Sequence, residues 1–232
     1  TACTTGTACT ALVSANFTVN EGCSPNDVTV QVFADLFSDG VNDSQITGTG
    51  ISGSYPSYLI SGTFPIGSHR FVVNLLDGCG NTNAITIPFV VIDCVGPAPT
   101  CAAGMTAVLM PLPANTDADG DGDFDRGAVT LQATDFVGSP IPADCSGPIR
   151  VSINRAGQIP SPNQTALVLT CDNLGTNIIE IYAWDSANNP RRVQPNGTLG
   201  GSNFGFCQTF VIVQANAGVN CGGSTAMGAI AG

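Results

Sequence analysis

The densest run of chemically able side chains is Asp117-Ala118-Asp119-Gly120-Asp121-Gly122-Asp123-Phe124-Asp125. Carboxylates at alternate positions of a glycine-rich turn can converge on a hard cation, and Ca²⁺ takes about six to eight oxygens. The run fills the first, third, fifth and ninth positions of an EF-hand-like loop, with Gly122 at the turn. The twelfth position is Ala128 rather than Glu, and no helical pattern flanks the loop, so it is not an EF-hand. A calcium site on a β-loop, with Asp117, Asp119, Asp121, Asp123 and Asp125 as ligands, is the expectation. A solvated acidic loop is the alternative. Mutual repulsion among five carboxylates without a cation weighs against it.

The other candidates carry less. Gly48-Thr49-Gly50-Ile51-Ser52-Gly53 has the spacing of a dinucleotide-binding turn, but Pro56 would interrupt the helix that must follow. These read as turn glycines. His69 is the single histidine, and neither a nucleophile elbow nor a partner for a triad stands near it in the sequence. It reads as a strand-edge side chain, and no enzyme activity is expected. Tyr182 and Trp184 share one strand face, where aromatics serve either packing or a binding platform; packing is the expectation.

Bulk properties exclude several classes. The net charge is −11, from 17 acidic and 6 basic residues. Nucleic-acid phosphates and anionic membrane surfaces both require the opposite sign, so neither is an expected partner. No apolar stretch is long enough to span a bilayer, so membrane insertion is not expected. Ten cysteines without a CxxC pair, beside one histidine, read as disulfides formed in an oxidising compartment rather than as a zinc site. The chain opens without a signal-peptide pattern, as a mature protein or a segment of a longer one would.

The elements that must hold these residues are strands. Lys is absent and Glu occurs only at Glu21 and Glu180, while Thr, Val, Ser, Asn and Gly dominate. Strands are expected over 11–19, 27–33, 58–60, 69–76 and 87–92, then over 105–110, 128–133, 149–153, 166–169, 178–184 and 210–214. The chain pivots on Asp93-Cys94-Val95-Gly96-Pro97-Ala98-Pro99-Thr100-Cys101, a short, stiff join. An end piece repeats on either side of it. Gly67 to Asp77 and Gly175 to Asp185 have equal length, and Asn81 and Asn189 follow at equal spacing. In this register Phe71, Val73 and Leu75 match Ile179, Ile181 and Ala183, one apolar strand face assigned to the core in both copies. The second copy carries an insertion within 190–205. Frequent turn signals between short strands predict an all-β chain of two tandem sandwiches, 1–96 and 97–221, with 222–232 as a linker or the first strand of a following domain.

The repeated segments also carry a resemblance. "FPIGSHRFVVNLLDGCGNTNAITIPFVVIDC" resembles the end of a hyalin-repeat (HYR) or related immunoglobulin-like module. "CSGPIRVSINR" followed by "TCDNLGTNIIEIYAWDSANNP" and "CQTFVIVQ" resembles repeats of giant Bacteroidetes surface proteins, typically exported by type IX secretion. Residues 14–33 resemble a PKD-like opening, and 226–232 resemble the first strand of a further sandwich. Asp185-Ser186-Ala187 resembles the O-glycosylation motif of that phylum. The resemblance implies immunoglobulin-like sandwiches with a structural or adhesive role at the cell surface, without shared catalytic residues. Partners would be copies of the chain or neighbouring β-sandwich domains, self-assembling into a fibre. The alternative is a carbohydrate-binding accessory module of a secreted enzyme, with surface glycans as partner. The HYR pattern further implies Cys101–Cys207, which leaves Cys145–Cys171, and Cys23–Cys79 is expected in the first module. Cys3, Cys9, Cys94 and Cys221 would staple the joins or adjacent subunits. Thr86 stands where the second module has Cys207, so the two disulfide schemes should differ.

Overall fold

The computed structural model describes residues 1–22, 27–142 and 144–222. The described residues form strands joined by turns and by short 3-10 segments. In chain order the strands are β1 (Ala2–Cys3), β2 (Thr10–Thr18), β3 (Thr29–Asp35), β4 (Ser44–Ile46), β5 (Ile51–Ser54), β6 (Ser57–Pro65), β7 (Gly67–Leu76) and β8 (Thr82–Ile92). There follow β9 (Met105–Thr116), β10 (Asp125–Gln132), β11 (Arg150–Arg155), β12 (Ala166–Thr170), β13 (Gly175–Trp184), β14 (Asn189–Val193), β15 (Leu199–Gly201) and β16 (Phe204–Ala215). The chain divides into two units, one made of Thr1–Val95 with Ala187–Arg192 and the other of the remainder.

The first unit is a sandwich of two sheets. One runs β1-β8-β7-β3-β4 and the other β2-β6-β5. Side chains alternate across each strand, so every second residue points between the sheets. Val13 and Phe17 of β2, Val32 and Ala34 of β3, Ile60 and Phe64 of β6, and Phe71 and Val73 of β7 meet there as one buried cluster. The stretch before Pro56, where the sequence predicts no strand, contains β4 and β5. Both are too short and too polar to show a period of their own.

The second unit has strand order β11-β13-β16-β9-β10-β12. β9 joins two sheet portions. Its start, Met105 to Leu109, pairs in parallel with β16, whereas Met110, Pro111 and Thr116 pair antiparallel with β10 across a register shift. A prolyl nitrogen cannot donate to a ladder, so Pro111 and Pro113 suit the stretch where the strand leaves one partner for the other. Leu109, Leu131, Ile153, Leu169, Ile179, Ile181 and Val211 fill the core.

The repeat is structural. β7 and β13 are both ten residues long, and each is an inner strand paired with the strand that closes its unit. Phe71, Val73, Ile179, Ile181 and Ala183 are fully buried, and Leu75 packs against the first core. In both units an early strand pairs in parallel with the closing one, β1 with β8 and β9 with β16. The ladders correct one alignment. Val73 faces Ile85 and Ile181 faces Cys207, so the counterpart of Cys207 is Ile85, not Thr86.

The disulfides are mostly local to each unit's ends. Cys101–Cys207 forms, with Cα atoms 5.7 Å apart. Cys145–Cys171 does not: Cys171 pairs with Cys221 at a Cα separation of 5.2 Å. Cys171 opens the turn after β12 and Cys221 follows β16, and both pack against the same core, a proximity set by topology rather than sequence spacing. Cys3 pairs with Cys94 and ties β1 to the end of β8. Cys9, Cys79 and Cys145 are also disulfide-bonded. The expected Cys23–Cys79 pair and the expected strand at 226–232 lie outside the described residues.

Candidate functional site

The acidic loop connects β9 to β10 and is turned by Gly120 and Gly122, at φ +79° and +98°. A side chain is strained at such angles, and glycine is not. The carboxylates split into two groups. Oxygens of Asp117, Asp119 and Asp125 lie within 4.8 Å of one another. Asp121 and Asp123 stand outside that cluster and are exposed; Asp121 Oδ1 accepts the Asp123 N–H at 2.9 Å.

The loop's own backbone shapes the cluster. Asp117 accepts the N–H groups of Gly120 at 2.7 Å and Gly122 at 3.1 Å. Asp125 Oδ2 accepts the Ala118 N–H at 2.7 Å. Asp119 Oδ2 accepts from the Thr170 hydroxyl at 3.4 Å, while its Oδ1 is buried with no hydrogen-bond partner. Burial pushes the Asp119 carboxyl above its ordinary value, and the charges of Asp121 and Asp125 push the same way. A polar groove of about 490 Å³ adjoins it, lined in part by Asp119, Asp121, Arg155, Gln164 and Asp172. An orphaned, desolvated oxygen beside two further carboxylates is a donor set that fits a hard cation.

The remaining candidates are structural. His69 is 1% exposed, in an inner strand, which corrects its reading as a strand-edge residue. Its Nδ1 accepts the Phe37 N–H at 3.0 Å, which leaves Nε2 to donate to the Pro65 carbonyl at 2.9 Å. Phe37, Phe64 and Phe89 surround the ring. Both nitrogens are therefore committed to holding the backbone. Gly48 to Gly50 form a single 3-10 turn before β5, as turn glycines do.

Tyr182 and Trp184 are packing residues. They are buried and stack with Phe204 and Phe206. Trp184 Nε1 donates to Ser152 Oγ at 2.8 Å, and the Tyr182 hydroxyl donates to Glu180 Oε2 at 3.1 Å. Desolvation, followed by the charge and hydrogen bond of Glu180, pushes the Tyr182 phenol up to about 12. The aspartates of the repeated Asp–Asn turn sit in different surroundings in the two units. In the first unit Asn81 closes onto Asp77, and its side-chain amide holds that carboxyl below its ordinary value. In the second, Asp185 is buried and accepts from the backbone and side chain of Asn203, past the insertion.

Sequence reasoning missed a second acidic constellation. Asp35 at the end of β3, with Asp39 and Asp43 in the β3–β4 connection, also brings carboxylate oxygens within 4.8 Å of one another. Their four-residue spacing has no glycine-rich alternation to flag it. No helix among the described residues is long and apolar enough to cross a membrane.

No family model matches the sequence, and neither does any curated protein. Solved structures do align with it. The EC1-2 segment of human mucin-like protocadherin aligns with 10% identity and a TM-score of 0.34, over 83% of this chain and 87% of that one. Fibronectin(III)-like modules of Clostridium thermocellum CbhA align with 12% identity and a TM-score of 0.32, over 90% and 87%. Immunoglobulin domains 1–4 of Sidekick-1 align with 13% identity and a TM-score of 0.23, over 87% and 47%.

Proposed function

We propose that this chain is a non-catalytic structural or adhesive element of an extracellular or cell-surface protein, its modules spanning 1–96 and 97–221, which associates with further copies or with neighbouring β-sandwich domains. One observation carries the reading: an exposed apolar stripe on the outer side of the second unit's sheet. Phe206 and Phe210 of β16, Ile178 of β13, and Val108 and Met110 of β9 are all exposed. Phe210 faces Ile178 across the ladder, and Val108 faces Gln214, so the strand parity places all five on the side opposite the core residues Leu109, Ile179 and Val211. Clustered exposed apolar side chains mark interaction surfaces, and a second sheet face of the same kind can bury them. Disulfide-bonded cysteines suit an oxidising exterior. Repetition of such weak contacts along an array of modules gives a fibre its avidity. The glycan-binding alternative loses its first candidates, because Tyr182 and Trp184 are buried rather than presented.

Calcium bound by Asp117, Asp119 and Asp125 belongs to the same reading, with Asp121 and Asp123 outside the inner set. The orphaned Asp119 oxygen supports it. The ion would fix the loop between β9 and β10 and offset the desolvation of Asp119.

Concentration-dependent light scattering and sedimentation, with electron microscopy of native material, test the association. Self-association weakened at least tenfold by Phe206→Ser with Ile178→Ser is expected. A monomer at all concentrations, with no assemblies in native material, would refute it. For the ion, chelation should lower the melting temperature of the second unit, and unchanged stability with no calorimetric binding signal would exclude it.

A further inference from the structure

We propose that the β3–β4 loop of the first unit is a separate cation site, in which Asp35, Asp39 and Asp43 hold a calcium ion. Asp35 ends β3, and Asp39 and Asp43 follow in the short connection to β4, turned by Phe37 at φ 59°, Ser38 at φ 55° and Gly40 at φ 94°. Each spends an oxygen on the loop itself. Asp43 Oδ2 accepts the Leu36 N–H at 2.6 Å, Asp39 Oδ1 the Val41 N–H at 2.9 Å, and Asp35 Oδ2 the Gly40 N–H at 3.1 Å. Among the described residues no donor reaches Asp39 Oδ2 or Asp43 Oδ1. Oxygens of the three groups lie within 4.8 Å of one another. A cation that takes its ligands at about 2.3–2.6 Å can bridge that spread, with water completing the shell.

The independent observation is the state of Asp35. Its side chain is 1% exposed, and its Oδ1 is buried without any hydrogen-bond partner. An arginine beside a buried carboxylate normally forks across both oxygens. Here Arg70 delivers both contacts to one: Nε lies 2.6 Å and Nη2 2.5 Å from Oδ2. Oδ2 therefore accepts from Arg70 and Gly40 together, while Oδ1 has nothing. Leaving an ionised oxygen desolvated and unpaired is costly, and a small rotation toward a forked pairing would relieve it. The arrangement makes sense when Oδ1 is a ligand. Arg70 offsets one of three negative charges, which leaves a net attraction for a divalent ion. Bound there, the ion ties together the two ends of the loop, and so holds β4, the edge strand of its sheet, against β3.

The test uses the full chain and calcium itself, by calorimetry and equilibrium dialysis at neutral pH. Asp39 and Asp43 are exposed, so Asp39→Asn with Asp43→Asn leaves the core intact. In a chain already carrying Asp117→Asn and Asp125→Asn, one calcium equivalent should still bind. Adding D39N and D43N should abolish it, at least a tenfold loss of affinity. Against the unmodified chain, D39N/D43N should remove one equivalent, and calcium should slow amide exchange across 36–46. Failure of the β9–β10 loop to bind would appear separately, as no change between the unmodified chain and the D117N/D125N chain. No calcium bound by the D117N/D125N chain, or an undiminished stoichiometry in D39N/D43N, would overturn the proposal.

Discussion

His69 offers the sharpest test of how the first unit is held together. Replacing it with Phe keeps an aromatic ring among Phe37, Phe64 and Phe89, so the packing term changes little. Two hydrogen bonds disappear: the Phe37 N–H loses its acceptor at 3.0 Å, and the Pro65 carbonyl loses its donor at 2.9 Å. Each bond contributes about 0.5–1.5 kcal/mol net, and partners left partly buried and unsatisfied raise the cost. The sum is about 2–3 kcal/mol. Calorimetric unfolding should show the first unit's transition shifted down. Trp184 fluorescence, which reports only the second unit, should keep its midpoint. Hydrogen exchange should show the Phe37 amide losing protection. His69→Ala should cost more, because it adds a cavity among three aromatic rings. A His69→Phe variant within about 0.5 kcal/mol of the parent, with Phe37 still protected, would refute the assignment of both ring nitrogens to backbone support.

Three further outcomes follow from the same geometry. In an ultraviolet titration one tyrosine should ionise only at about 12, and Glu180→Gln should move it down. A phenol whose pKa is raised by folding contributes stability that is complete below its ordinary value of 10.0 and is lost as pH rises through about 12, so alkaline unfolding of the second unit should track this step. Replacing Cys101 and Cys207 together by Ser reopens a loop with a sequence separation of 106, and should cost about 4–5 kcal/mol in denaturant unfolding under oxidising conditions; a loss under about 1 kcal/mol would contradict the pairing. For Asp119, whose carboxyl is raised by burial, the ion-free fold loses that group's contribution as pH rises through its folded pKa. Calcium requires the ionised form, so the calcium-dependent gain in melting temperature should shrink as pH falls from neutral toward the carboxylate range. A gain that is constant with pH would exclude Asp119 as a ligand.

The sequence by itself determined the strand content, the duplication and the inner face of its repeated strand. Period-two alternation in Ile179-Glu180-Ile181 is local, because it depends only on successive side chains pointing to opposite faces, and the equal spacing of the repeat carries the same face to Phe71 and Val73. The Cys101–Cys207 pairing was legible through resemblance rather than through spacing. The acidic loop was also legible, since alternation of Asp and Gly is visible within nine residues, but only the fold separated Asp117, Asp119 and Asp125 from Asp121 and Asp123. That separation depends on which N–H groups the turn presents and on Thr170 arriving from another strand. Tertiary structure alone decided the partner of Cys171, the burial of His69, and the contact of Asp185 with Asn203. It also decided that Arg70 meets a single oxygen of Asp35 and leaves the other alone. Each of these is a contact between residues far apart in the chain. Strand register sets such contacts, and a one-residue slip, like the one separating Thr86 from Ile85, reverses every face.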